Sequence, residues 1–354
     1  MRKRALLGAL AVPVLAACSA IGAAPVPATT TAGGEITLVT HDSFALSDGI
    51  LADFTKQTGY TVKVVQPGDA GTLVNQLVLT KDAPLGDVTF GIDNTFASRA
   101  LDAGVLVPPS PALTAAAAKD GRQYRVPSDA TGALTPIDVG DVCVNVDHAW
   151  FTTHAVAEPK TLDDLTQPAY KNLFVTESPA TSSPGFAFLL ATISSKGDGW
   201  QAYWKALKDN GVKVDDGWEN AWNVDYTAGG GNGQYPIVLS YSSSPVDTVP
   251  KGGTSPTTGA LLDTCFRQVE YAGVLAGAKN PAGAAAFVNF LLSDEVQNDI
   301  PGSMYMYPVS SSASVPDEWA KWAPLATSPR SVPAADIAAH RSEWLQQWSG
   351  VVLG

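Results

Sequence analysis

The chain has 354 residues, a net charge of −12 and 45% apolar residues, with 34 acidic side chains against 22 basic ones. An acidic chain without a Lys/Arg-rich run lacks the electrostatic footprint of a nucleic-acid binder. His41, His148, His154 and His340 have no zinc-ligand spacing, so neither a metal centre nor a cofactor is expected.

The chain opens on the basic "MRKR", followed by an apolar run over residues 5–17. That run is too short to span a bilayer and fits the core of a secretory signal. It ends in Leu15-Ala16-Ala17-Cys18, which resembles a bacterial lipobox. The resemblance implies that residues 1–17 are removed and Cys18 is lipidated, anchoring the protein to the extracytoplasmic face of the cell membrane. Residues 18–34 are small, uncharged and Pro-containing, as a flexible tether is. Setting Cys18 aside leaves Cys143 and Cys265, an even pair in an oxidising compartment. They form a candidate disulfide, with two buried thiols as the alternative.

Beyond the tether, "EITLVT" (35–40), "TVKVVQP" and "DVTFGI" predict strands, each followed by a helical pattern. The alternation resumes with strand "NLFVTES", helices "GFAFLLATIS" and "QAYWKALKDNG", and strands "VKVDD" and "PIVLSY". Strands alternating with helices argue for two α/β blocks with largely parallel sheets, one sheet per block. Two long extended runs, 134–148 and 261–275, lie between and after the blocks and predict a two-strand hinge. The expected lobes are 35–140 plus 266–309, and 141–265 plus 310–354. Trp200 and Trp204, like Trp344 and Trp348, are spaced for helix packing. The Gly-rich 228–233 lacks a P-loop ending and predicts a plain loop.

Ligands of open α/β sheets sit beyond the carboxyl ends of the strands. "HDSF" (41–44), "PGDAG" (67–71), "GIDN" (91–94), "TSSPG" (181–185) and "SYSSSP" (240–245) all fall there. Both Ser-Ser-Pro stretches predict helix N-termini, where capping hydroxyls, free N–H groups and the helix dipole favour an anion. Both are expected to face the cleft.

"LVTHDSFALSDGI", "GDAGTLVNQL", "DVTFGIDN", "TSSPGFAFLL", "DDGWENAW", "IVLSYSSSP", "VQNDIPGSMYMYPV" and "AADIAAHRSEWLQQW" occur in that order. Together they resemble the thiamine-binding proteins of bacterial ABC importers, from about residue 35 to 350. The resemblance implies a type II periplasmic-binding-protein fold: two α/β lobes, two hinge strands and a ligand in the inter-lobe cleft. It also implies a monomeric receptor, not an enzyme, that hands thiamine or its phosphates to a permease driven by an ATPase.

Thiamine offers a flat pyrimidine, a cationic thiazolium and a hydroxyethyl arm. Aromatic faces over such a cation contribute roughly 0.5–2 kcal/mol each. On the family pattern Trp218 and Tyr241 supply those faces, with Tyr305 standing where the family usually has Trp. Ser182, Ser183, Ser242, Ser243 and Ser244 match contacts at the two helix starts. Asp69 and Ala70 match an Asp-Gly that touches the ligand, and His41 stands where Tyr is frequent. Asp42 and Asp93, at strand ends, are open to two roles, balancing the cation or shaping a turn. The competing ligands are a polyamine, a phosphonate or ferric ion. A hydrolase is disfavoured, because the chain has no Gly-x-Ser-x-Gly elbow and no serine has an evident base partner.

Overall fold

A computed structural model describes residues 33–230 and 232–354; Cys18 and the signal-like segment lie outside them. The strands among the described residues are β1 Gly34–Thr40, β2 Tyr60–Val65, β3 Val88–Asp93, β4 Leu106–Val107, β5 Thr135–Asp147 and β6 Phe174–Glu177. They continue with β7 Lys213–Asp215, β8 Ile237–Tyr241, β9 Thr258–Ala260, β10 Phe266–Leu275 and β11 Tyr307–Pro308. β1 runs parallel to β2 and β3, and β6 runs parallel to β7 and β8. Parallel pairing follows from the helices that cross between successive strands. This is the type II periplasmic-binding-protein architecture.

The expectation of separate sheets is corrected. The strands form one continuous path, β2-β1-β3-β10-β5-β8-β6-β7. β5 is the reason, because its two ends serve different halves. Thr135 to Val142 pair antiparallel with β10, and Val142 to Val146 pair antiparallel with β8. Every residue of β5 is buried, so this strand is the shared spine rather than a solvated connector.

One contiguous apolar core runs under both halves, with aromatic contacts in each. In the first, Phe54 meets Phe287 edge-on at 5.2 Å. In the second, Phe188 meets Trp204 at 5.5 Å, and Trp204 meets Trp348 at 5.6 Å. The helical tryptophan spacing thus packs helix Ala334–Val352 against helix Trp200–Asp209. Arg341 of the same C-terminal helix lies 4.5 Å above the Phe96 ring and 5.3 Å above that of Phe186, spanning both halves.

Cys143 in β5 is disulfide-bonded to Cys265, the residue before β10, across a sequence separation of 122. Closing a loop of that size restricts the unfolded chain by on the order of 4–5 kcal/mol in the chain-entropy picture. Replacing both cysteines by alanine should lower the unfolding free energy read from urea titration by an amount of that order. An unchanged free energy would show that the bridge adds nothing.

Candidate functional site

A cavity of about 290 Å³ opens at the strand ends, between the two halves of the sheet. Its aromatic wall begins at Trp218. A helical turn, Trp218–Asn220, widens into a π turn over Ala221–Asp225 and sets the Trp218 and Trp222 rings in an offset parallel stack, with centroids 5.8 Å apart and planes 12° apart. Trp218 Nε1 donates to Ser240 Oγ at 2.8 Å, and Ser240 Oγ bonds Ser244 Oγ at 2.7 Å. Ser244 Oγ also accepts from the Tyr241 N–H at 3.0 Å. The Tyr241 ring stands 6.5 Å from Trp218 at 65°. This hydroxyl chain fixes both rings at the end of β8. Tyr305 closes the opposite side, its hydroxyl donating to Asp247 at 2.9 Å.

The polar lining is acidic. Asp69, Glu219, Asp247 and Glu270 face the cavity, and among the described residues no Lys or Arg does. His41 also lines it, but burial pushes its imidazole down to about 4, so it is neutral at physiological pH. A protonated ring would repel a cation, and this environment removes that repulsion.

Asp69 ties the halves together. It caps helix Ala70–Leu79, accepting from Ala70 N–H, and reaches across the cleft to accept from Ser183 N–H at 3.1 Å and Trp218 N–H at 3.0 Å. Burial pushes this carboxyl up, and the three N–H groups pull it back. Beside it, Thr72 N–H donates to the Thr181 carbonyl at 2.9 Å. A Cβ on Gly71 would lie 2.6 Å from that same carbonyl, so only glycine permits the approach.

Of the residues expected in the site, Asp69, Ala70, Ser183, Trp218, Tyr241, Ser244 and Tyr305 are brought together on the cavity wall. Ser182, Ser242 and Ser243 are not: all three are buried away from it. Ser182 Oγ caps its own helix by accepting from Gly185 N–H at 3.2 Å. Asp42 lies outside the lining, where partial burial and the charges of Asp69 and Glu219 push it up to about 6. Asp93 is buried and accepts from Thr95 and Phe96, a turn-shaping role.

The two anion-binding helix starts need correction as well. Ser244–Thr248 is a five-residue 3-10 turn without a helix behind it. The start at Ser183 does head a long helix, but its N–H groups are already taken by Asp69 and Ser182. Trp222, Glu219, Asp247, Gln268 and Glu270 were missed by sequence reasoning, yet all face the cavity. Only Trp222 carried a signal, as the second tryptophan of "DDGWENAW".

Residues 83–329 match the bacterial extracellular solute-binding protein family. The chain belongs to that family. This solute-binding protein is 27% identical to the thiamine-binding periplasmic protein of Escherichia coli K12, over 90% of this chain and 93% of that one. Among solved structures it is similar to a periplasmic thiamin binding protein, at TM-score 0.77 and 25% identity over 90% and 96% of the two chains. An AfuA from Actinobacillus pleuropneumoniae with bound fructose-6-phosphate shares the fold at TM-score 0.73 and 16% identity, covering 90% and 99%. An iron-bound HitA from Pseudomonas aeruginosa does so at TM-score 0.68 and 22% identity, also covering 90% and 99%.

Asp69→Ala leaves the Ser183 and Trp218 N–H groups without their charged acceptor. Hydrogen bonds to a charged group are worth about 1.5–3 kcal/mol, enough to shift the solute-binding protein from closed toward open. Small-angle scattering should then report an expanded particle. The same radius of gyration in variant and wild type would contradict the clasp.

Proposed function

We propose that the protein is an extracytoplasmic receptor that captures thiamine and delivers it to the permease and ATPase of an ABC importer. The observation that carries this reading is the pairing of stacked aromatic rings with four lining carboxylates and, among the described residues, no lining Lys or Arg. A desolvated cation between aromatic faces gains from the ring quadrupoles, and the carboxylates balance its charge. The relatives named as thiamine-binding support the same ligand. Lipidation at Cys18, the monomeric state and lobes of 35–140 plus 266–309 and 141–265 plus 310–354 belong to this proposal, and they rest on the sequence pattern.

The lining also orders the candidate ligands. A phosphate would meet carboxylates, with the helix-start N–H groups already bonded to Asp69 and Ser182. Unphosphorylated thiamine is therefore preferred over its phosphates, and a phosphonate or sugar phosphate is disfavoured. Ferric ion calls for phenolate ligands, but burial and the charge of Glu270 push the Tyr241 phenol upward. Its hydroxyl donates to Gln268 at 3.3 Å. A polyamine would satisfy the carboxylates and leave the stacked indoles without a flat partner. The site binds rather than turns over its solute.

Titration calorimetry should give a thiamine Kd in the nanomolar to micromolar range, about −12 to −8 kcal/mol. Thiamine diphosphate should bind roughly tenfold or more weakly, a difference of about 1.4 kcal/mol. Trp218→Ala should weaken thiamine by a comparable factor, through loss of one aromatic face. Binding of thiamine weaker than about millimolar would sink the assignment.

A further inference from the structure

Three carboxyl side chains stand in register across the middle of the sheet. On β10, Glu270 is opposite Asp93 of β3 on one side and Asp138 of β5 on the other. Directly opposed residues in an antiparallel pair project to the same face, so like charges here repel. All three are buried, and Glu270 lines the cavity.

Their surroundings differ. Asp93 is well served, by the Thr95 hydroxyl at 2.9 Å, the Phe96 N–H at 3.0 Å and the nearby Arg341 guanidinium. Glu270 accepts only a weak contact from Gln268 Nε2 at 3.4 Å. His41 Nε2 lies 3.6 Å from Glu270 Oε1, but that ring is neutral and brings no charge. The Tyr241 phenol and the Asp69 carboxylate complete the groups facing Glu270, and neither is a cation. Both oxygens of Asp138 are buried without any N–H or hydroxyl donor, so its one available partner is the Glu270 carboxyl. Two carboxyls can hydrogen-bond to each other only when one carries a proton.

We propose that Asp138 and Glu270 form the counter-ion site of the solute, sharing a proton in the empty receptor and releasing it as an organic cation enters. This rests on the cavity taking an organic cation, as proposed above. The exchange balances: one O–H bond of the pair breaks, the proton passes to bulk water, and the carboxylate left behind faces the incoming positive charge. Burial sets the working range, pushing Glu270 up to about 7 and Asp138 well above the ordinary aspartate range. The pair titrates as a unit.

The sign follows. The empty receptor holds the proton below about pH 7, and the cation binds the deprotonated form. Affinity therefore rises with pH up to about 7 and levels off above it, by up to tenfold per unit below that point.

Thiamine calorimetry between about pH 5.5 and 8.5, in two buffers of different protonation enthalpy, reads both quantities. About half a proton should be released per thiamine near pH 7, falling toward zero at the alkaline end. Glu270→Gln should abolish both the release and the pH dependence. Asp138→Asn, whose amide N–H can donate to the Glu270 carboxylate without carrying a charge of its own, should move the midpoint to lower pH.

Thiamine binding with no proton release and a flat pH profile overturns the exchange. Infrared difference spectra of the ligand-free protein, wild type against Glu270→Gln, test the shared proton without a ligand. A carboxylic-acid band near pH 6 that is lost in the variant supports the pair, and its absence in wild type overturns it. No thiamine binding at any pH, with that band present, overturns the thiamine reading and the counter-ion role while the proton-holding pair stands.

Discussion

The bond from Asp69 to the N–H groups of Ser183 and Trp218 is the contact on which the site depends. Beside the Thr72–Thr181 backbone bond, it holds the end of β2 against the ends of β6 and β7. With it, Trp218 is drawn over the cavity and helix Ser183–Lys196 is held with its N-terminus against the opposite half. The same carboxylate fills the position that a bound anion would take at that helix start. One side chain therefore joins the halves and occupies the helix start, and what remains in the lining is negative charge and aromatic surface.

A second constraint comes from the spine. β5 runs through both halves, pairing with β10 along its first part and with β8 along its last, so any motion of one half against the other must be absorbed near the point where it changes partner. The Cys143–Cys265 bridge ties the two runs together near the point where β5 changes partner from β10 to β8. Placing Glu270 and Asp138 on this same pair of strands puts the charge of the site at the junction that would move. Solute charge and hinge geometry thus share a few residues.

The fold was largely legible because strand–helix alternation and the two extended runs are strong local signals. What they could not convey was that one thirteen-residue strand serves two partners, since pairing choice is a long-range property. The aromatic wall was legible only through the family pattern, which Trp218 of "DDGWENAW" and Tyr241 of "LSYSSSP" match. Ser182, Ser242 and Ser243 were over-assigned because adjacent residues point in different directions, and one residue of each run reaches the cavity. Glu270 left no trace in the sequence. A lone acid in an extended run resembles the solvated face of a strand, and only pairing with β3 and β5 buries it.

On the proposed function, this cavity selects a flat organic cation over the ligands of other proteins with the same fold. Native mass spectrometry of the protein, equilibrated with equal concentrations of thiamine, fructose-6-phosphate and ferric ion, tests it in one vessel. The account predicts a single adduct with the mass of thiamine. An adduct of the sugar phosphate or of iron in its place would contradict it.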